Sequence, residues 1–175
     1  MTVSLSLGLL VLRVVIGLTL AGHGAQKLFG WFGGPGFSKM QQGLEAQGFR
    51  PASLWLSLNI LGELGGGLSL AFGFLTSVGA AGAVGAMFMA IVKVHWKNGF
   101  WNSNRGLEFP LALLAGAAAI GFTEAGNYSL DALFRINFHH TLLFVILTAV
   151  ALIVDIVGLS ISRPTLAVTA ADASS

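Results

Sequence analysis

From Leu54 to Val92 the chain is almost continuously apolar, with Asn59 and Glu63 as its main polar interruptions. One membrane-spanning helix needs about 20 such residues, and this stretch is about twice that length. It must therefore fold back once. Gly73–Gly79, with Thr76 and Ser77 inside, is the expected turn. The composition agrees: 55% of the 175 residues are apolar and 9% are charged, against about 25% charged in a soluble domain. Mean hydropathy is +0.82. The pattern predicts an all-α, polytopic membrane bundle in contact with the lipid bilayer.

Five spans follow from the hydropathy: Leu5–Leu28, Pro51–Leu75, Val78–Trp96, Leu107–Phe122 and His139–Ile161. They make one membrane domain over residues 1–163, and 164–175 reads as a small, polar, disordered tail. The N-terminus lacks the positive charge of a signal peptide and carries Arg13 inside its apolar run, so the first span is expected to be retained. Between the first two spans, Ser38–Gln47 is expected to form a short interfacial helix after the Gly33-Gly34-Pro35-Gly36 turn. Gly17, Leu20, Ala21 and Gly24 form one small-residue stripe, and Gly79, Gly82, Ala83 and Ala86 another. Such stripes let membrane helices approach closely, and they also leave a homodimer open.

Charge sets the topology. With five spans, Lys27, Lys39, Arg50, Lys93, Lys97, Arg105 and Arg163 fall on one side and Arg135 on the other. The excess of cations marks the cytoplasmic side. Nine scattered cations do not make a nucleic-acid surface. The absence of cysteine excludes thiol–disulfide chemistry and cysteine-ligated metal clusters within the chain.

Ionisable residues within spans mark function by default. Arg13 in the first span and Glu63 in the second are expected at similar depth, as a neutralised pair locking two helices or as the lining of a polar pocket. Asn59, Glu63 and Gly67 share a helix face. His23, Gln26 and Lys27 end the first span near Trp31, while His95, Trp96, Lys97, Asn98 and Glu108 fall at the same level. Together these suggest an interfacial pocket in which His23, Glu63, His95 and Glu108 handle protons. Arg13, Lys27, Trp31, Asn59, Trp96 and Asn98 would hold a flat ring such as a quinone. A bis-histidine haem on His23 and His95 is disfavoured by their interfacial position. His23, His95 and Glu108 are suitable metal ligands by type, but no spacing motif supports a metal site. His139 and His140, adjacent on a helix, point about 100° apart and are read as the start of the fifth span.

Several of these runs resemble one family. Arg13, Gly17 and the segment His23-Gly24-x-x-Lys27-Leu28-Phe29-Gly30-Trp31-Phe32-Gly33-Gly34-Pro35-Gly36 resemble the first helix and hairpin of the DoxX family. Glu63-x-x-Gly66-Gly67, His95-Trp96-x-Asn98-Gly99-Phe100, Glu108-Phe109-Pro110 and Tyr128-Ser129-Leu130-Asp131 resemble its later motifs, in order. The resemblance implies a compact four-helix core in the bacterial cytoplasmic membrane. It also implies kinship with subunits of terminal quinol oxidase and thiosulfate:quinone oxidoreductase systems, and hence a protein partner of a redox complex. By that resemblance Arg13, His23, Lys27, Glu63, His95, Asn98 and Glu108 are the positions of interest. The fifth span departs from the four-helix pattern. Three functions stay open from the residues: a redox-complex membrane subunit binding quinone, a small-molecule transporter or channel, and a scaffold without chemistry of its own.

Overall fold

The computed structural model describes residues 2–136 and 140–162. Among the described residues there is no β-strand. The major helices are α1 (Val3–Phe29), α2 (Gly36–Ala46), α3 (Ala52–Phe72), α4 (Thr76–Asn98), α5 (Glu108–Thr123), α6 (Leu130–Leu133) and α7 (His140–Ile161). Four of them, α1, α3, α4 and α7, are long and apolar enough to cross a membrane, and α5 is a shorter apolar helix. The α3–α4 turn falls at Gly73–Leu75, within the glycine-rich segment that the hydropathy singled out. The short helix expected between the first two spans, α2, begins at Gly36, two residues ahead of Ser38. His139, Arg163 and the tail 164–175 lie outside the described residues.

Helix α4 is the central element, packed against α3, α5 and α7. Its Ala80, Ala83, Val84 and Met87 join Leu20 of α1, Leu70 of α3, Ile120 of α5 and Phe144 of α7 in one core. Small residues bring the helices together. A Cβ at Gly17 of α1 would stand 2.5 Å from the backbone of Gly67 and Ala71. One at Gly67 would stand 2.5 Å from the Ala21 nitrogen. On the other side of α3, a Cβ at Gly66 would come within 2.7 Å of the Gly79 oxygen of α4. The consecutive pair Gly66-Gly67 thus serves two interfaces at once, with α1 on one side and α4 on the other. In a bilayer, where lipid tails are as apolar as leucine, such backbone contact supplies the packing that drives association.

Helix α7 runs parallel to α4. Ser77 faces His140 at 3.4 Å, Gly85 faces Ala151, and Lys93 donates to the Ser162 hydroxyl at 2.9 Å. Phe144 packs on Gly121 of α5 near one end of α7, and Trp55 of α3 packs on Gly158 near the other. Between these anchors α7 stands away from α3 and leaves a groove floored by α4. Most of the surface of α7 remains apolar and exposed, as suits a helix facing lipid.

Gly17→Val or Gly67→Val is expected to destabilise the protein by at least the about 1–3 kcal/mol of an overpacked core, because the obstacle is backbone. Gly22→Ala, whose Cβ meets nothing within 4 Å, is expected to be neutral or to stabilise by up to about 1 kcal/mol. Thermal unfolding in mild detergent compares them.

Candidate functional site

The α1–α3 glycine contact sets which polar residues meet. Gly24 lies on Leu64, and one turn further along α1 the Lys27 ammonium reaches α3. Its Nζ donates to Glu63 Oε1 at 2.6 Å and to Asn59 Oδ1 at 2.6 Å. Asn59 in turn donates to the Ala86 carbonyl of α4 at 3.4 Å. Glu63 is 2% exposed, and its Oε2 is buried with no hydrogen-bond partner. The residue lies in a π-helical turn, Leu61–Gly65, a distortion that recurs at functional sites. A second such turn, Ile91–His95, falls near the end of α4.

The expected Arg13–Glu63 pair does not form. That expectation placed the start of the first span level with the end of the second. In the structure Gly17 is already opposite Gly67 and Ala71, so α1 runs past the end of α3 by about ten residues, or about 15 Å. Arg13 therefore meets the α3–α4 turn rather than Glu63. It is fully buried, and its Nη2 donates to the Tyr128 carbonyl. Asp131, close by in α6, caps α4: its carboxylate accepts from the Leu75 nitrogen at 2.7 Å, the Thr76 nitrogen at 2.9 Å and the Thr76 hydroxyl at 2.6 Å. Arg13 thus ties the closing segment Tyr128–Asp131 to α1 and belongs to the scaffold.

The other expected residues separate into two settings. His95 Nδ1 lies 2.7 Å from the Arg105 carbonyl, which also accepts from Asn98 Nδ2 at 3.1 Å. Glu108 Oε2 accepts from the Asn102 nitrogen at 2.9 Å. These three residues fold the 95–108 connection onto itself. His23 is half-buried and packs against Phe109, with ring centroids 5.5 Å apart and the rings tilted by 56°. Trp31 and Trp96 are exposed, as headgroup-level aromatics are. Among the described residues no three His, Asp or Glu side chains converge as a metal site would need.

The groove between α3 and α7 has a volume of about 780 Å³. Its floor is the Gly79, Gly82, Gly85 and Ala86 face of α4, and α2 covers one end with Met40 and Leu44. Lys27 and Asn59 reach it from one wall. Asp155 reaches it from α7, and Lys93 from α4. The Lys93 ammonium also lies 4.6 Å from the centre of the Phe49 ring. Asp155 was not among the residues singled out above, and Lys93 was read only as a charge that sets topology. The available signal was an acid inside an apolar span, but its surroundings depend on where α7 docks.

An all-α bundle of long apolar helices with a buried ion pair between the first two spans defines a polytopic membrane protein. The DoxX family model matches residues 8–96. The chain is also 32% identical over 128 residues to the inner membrane protein YqjF of Escherichia coli (strain K12), a match covering 72% of this chain and 91% of that relative. The protein belongs to the DoxX family and is a multi-pass protein of the bacterial inner membrane. No solved structure matches the chain.

Lys27→Met leaves the Glu63 carboxylate buried without its cation and is expected to cost about 3–5 kcal/mol. The double variant Lys27→Met/Glu63→Leu should recover most of that loss, because an apolar pair needs no compensation. A double-mutant cycle on thermal unfolding reads the coupling.

Proposed function

We propose that the α3–α7 groove binds a quinone and that the chain is the membrane subunit of a quinone-linked redox assembly. The electron-carrying centres would belong to a protein partner. One observation carries this reading: a largely apolar groove of about 780 Å³ has a few polar side chains, Lys27 and Asn59 among them, at its wall. An apolar cavity with a small number of convergent polar groups is the usual form of a small-molecule site.

The residues fit such a group. A glycine-lined floor offers a flat surface to a planar ring. Gly82 adds no side chain to it, and a Cβ there would meet only the Gly62 Cα, at 3.5 Å. Lys27 has three N–H donors, two of which serve Asn59 and Glu63. The third is available to a ring oxygen. Glu63 acts as a positioning residue, holding the ammonium at the groove wall. A quinone, when bound, supplies a two-electron, two-proton carrier that is soluble in the bilayer. The family resemblance to quinone-linked subunits supports the same reading. In it His95, Asn98 and Glu108 shape the 95–108 connection, where a partner would find polar surface.

The test is mass spectrometry of the organic extract of protein purified in mild detergent. Near-stoichiometric quinone is expected from the wild type. Lys27→Met should weaken occupancy by about 10- to 100-fold, the effect of losing a hydrogen bond from a charged donor. Gly82→Leu should lower occupancy by filling the groove, with thermal unfolding read alongside to separate lost binding from lost α3–α4 packing. Phospholipid alone in the wild-type extract, together with no binding of added quinone or quinol, would overturn the proposal.

A further inference from the structure

Asp155 stands on the only wall of the groove outside residues 8–96, where the family model matches. Among the described residues its carboxylate receives no hydrogen bond, and its Oδ2 is buried with no partner. It rests against α4 at Gly85, where an added Cβ would stand 3.5 Å from Oδ2. The next residue, Ala86, accepts the hydrogen bond from Asn59, which holds Lys27. One step of α4 therefore sits between the Lys27–Asn59 wall and Asp155, and the two face the groove at the same depth. The nearest cation on the α7 side of the groove is engaged elsewhere. Lys93 donates to Ser162 and lies over the Phe49 ring, eight residues along α4 from Gly85, or about 12 Å.

The groove thus presents an N–H donor on one wall and an unpartnered acceptor on the other. In its ionised form the Asp155 carboxyl only accepts hydrogen bonds, whereas the protonated acid would donate one, so the preference that follows holds where the group is ionised. A quinone has a carbonyl at each end of its ring, both acceptors. One carbonyl suits Lys27, but the other would confront the carboxylate lone pairs. A quinol has a hydroxyl at each end. One oxygen accepts from Lys27 while the opposite hydroxyl donates to Asp155.

We infer that Asp155 makes the groove selective for the reduced, dihydroxy form of its ligand, accepting one ring hydroxyl while Lys27 donates to the other oxygen. This rests on the quinone reading of the groove and adds to it a preference between redox states. A site built to bond a hydroxyl discriminates against the analogue that lacks the proton, because its own polar group is then left unpaired.

The test uses the full chain in nanodiscs at pH 8, titrated with a decyl-substituted benzoquinol and the matching benzoquinone, with empty nanodiscs as the baseline. The chain has no cysteine, so the reductant that maintains the quinol has no disulfide to attack. The wild type is expected to bind quinol at least about 10-fold more tightly than quinone. Asp155→Asn keeps the shape and adds an amide donor, so the ratio should fall to about 1, mainly through tighter quinone binding. Asp155→Ser provides the same readout of lost preference if the Asn variant does not fold. Equal wild-type binding of the two forms overturns this inference and leaves the quinone site standing. So does a preference that survives in both variants. Binding of neither form by folded wild-type protein overturns the quinone reading and this inference with it.

Discussion

An ammonium within a membrane bundle needs an anion at its own depth, and the packing of α1 on α3 supplies one for Lys27. Gly17 against Gly67 and Gly24 against Leu64 bring the helix axes close enough for Lys27 to reach both Asn59 and Glu63. The dependence runs both ways. A slip of one turn would place a side chain where α3 backbone now lies, and it would strand a carboxylate that is 2% exposed. Buried ion pairs are weak contributors to net stability but strong selectors of register, since breaking one is costly. Here the pair and the glycine contacts select the same register.

Helix α3 is consequently committed on two sides. Gly67 admits α1, Gly66 admits α4, and the remaining side faces the groove. Helix α7 closes that side only through Trp55 on Gly158 at one end, while Phe144 fixes it to α5 at the other. The groove exists because α7 follows α4 in parallel and is too far from α3 to fill the space between them. The glycine face of α4 that makes the floor flat belongs to the same small-residue stripe that allows close approach to α3.

Much of this architecture was legible in the residues. Uninterrupted hydropathy located the apolar helices to within a few residues, the glycine stripes marked true helix contacts, and the polar run after Pro35 marked α2. Lys27, Asn59 and Glu63 were all visible as intramembrane or near-interface polar groups. Their partnership was not, because depth had been reckoned from helix ends. How far one helix overshoots another depends on close backbone contacts such as Gly17 on Gly67, and α1 overshoots α3 by nearly three turns. His95, Asn98 and Glu108 looked like a convergent site because they share a level. Their local hydrogen bonds within 95–108 arise from turn geometry that spacing does not reveal. Asp155 was visible as a charge near the end of a span, but the docking of α7 determines what it faces.

The bond from Arg13 to Tyr128 crosses 115 residues of sequence. At about 5–20 residues per second, a ribosome needs roughly 6–23 s to make the acceptor after it has made the donor. Throughout that interval α1 holds a guanidinium whose final partner does not yet exist, a burden of about 2.5–3.5 kcal/mol on insertion scales. The leucines and valines around it must carry the segment alone. The length of α1, 27 residues, gives the nascent helix room to slide and let that charge reach the interface. Release from this mobility comes only when Tyr128–Asp131 arrives, caps α4 and captures the arginine. The Arg13 latch therefore closes only after α5 has been made and before α7 has, between two groups 115 residues apart.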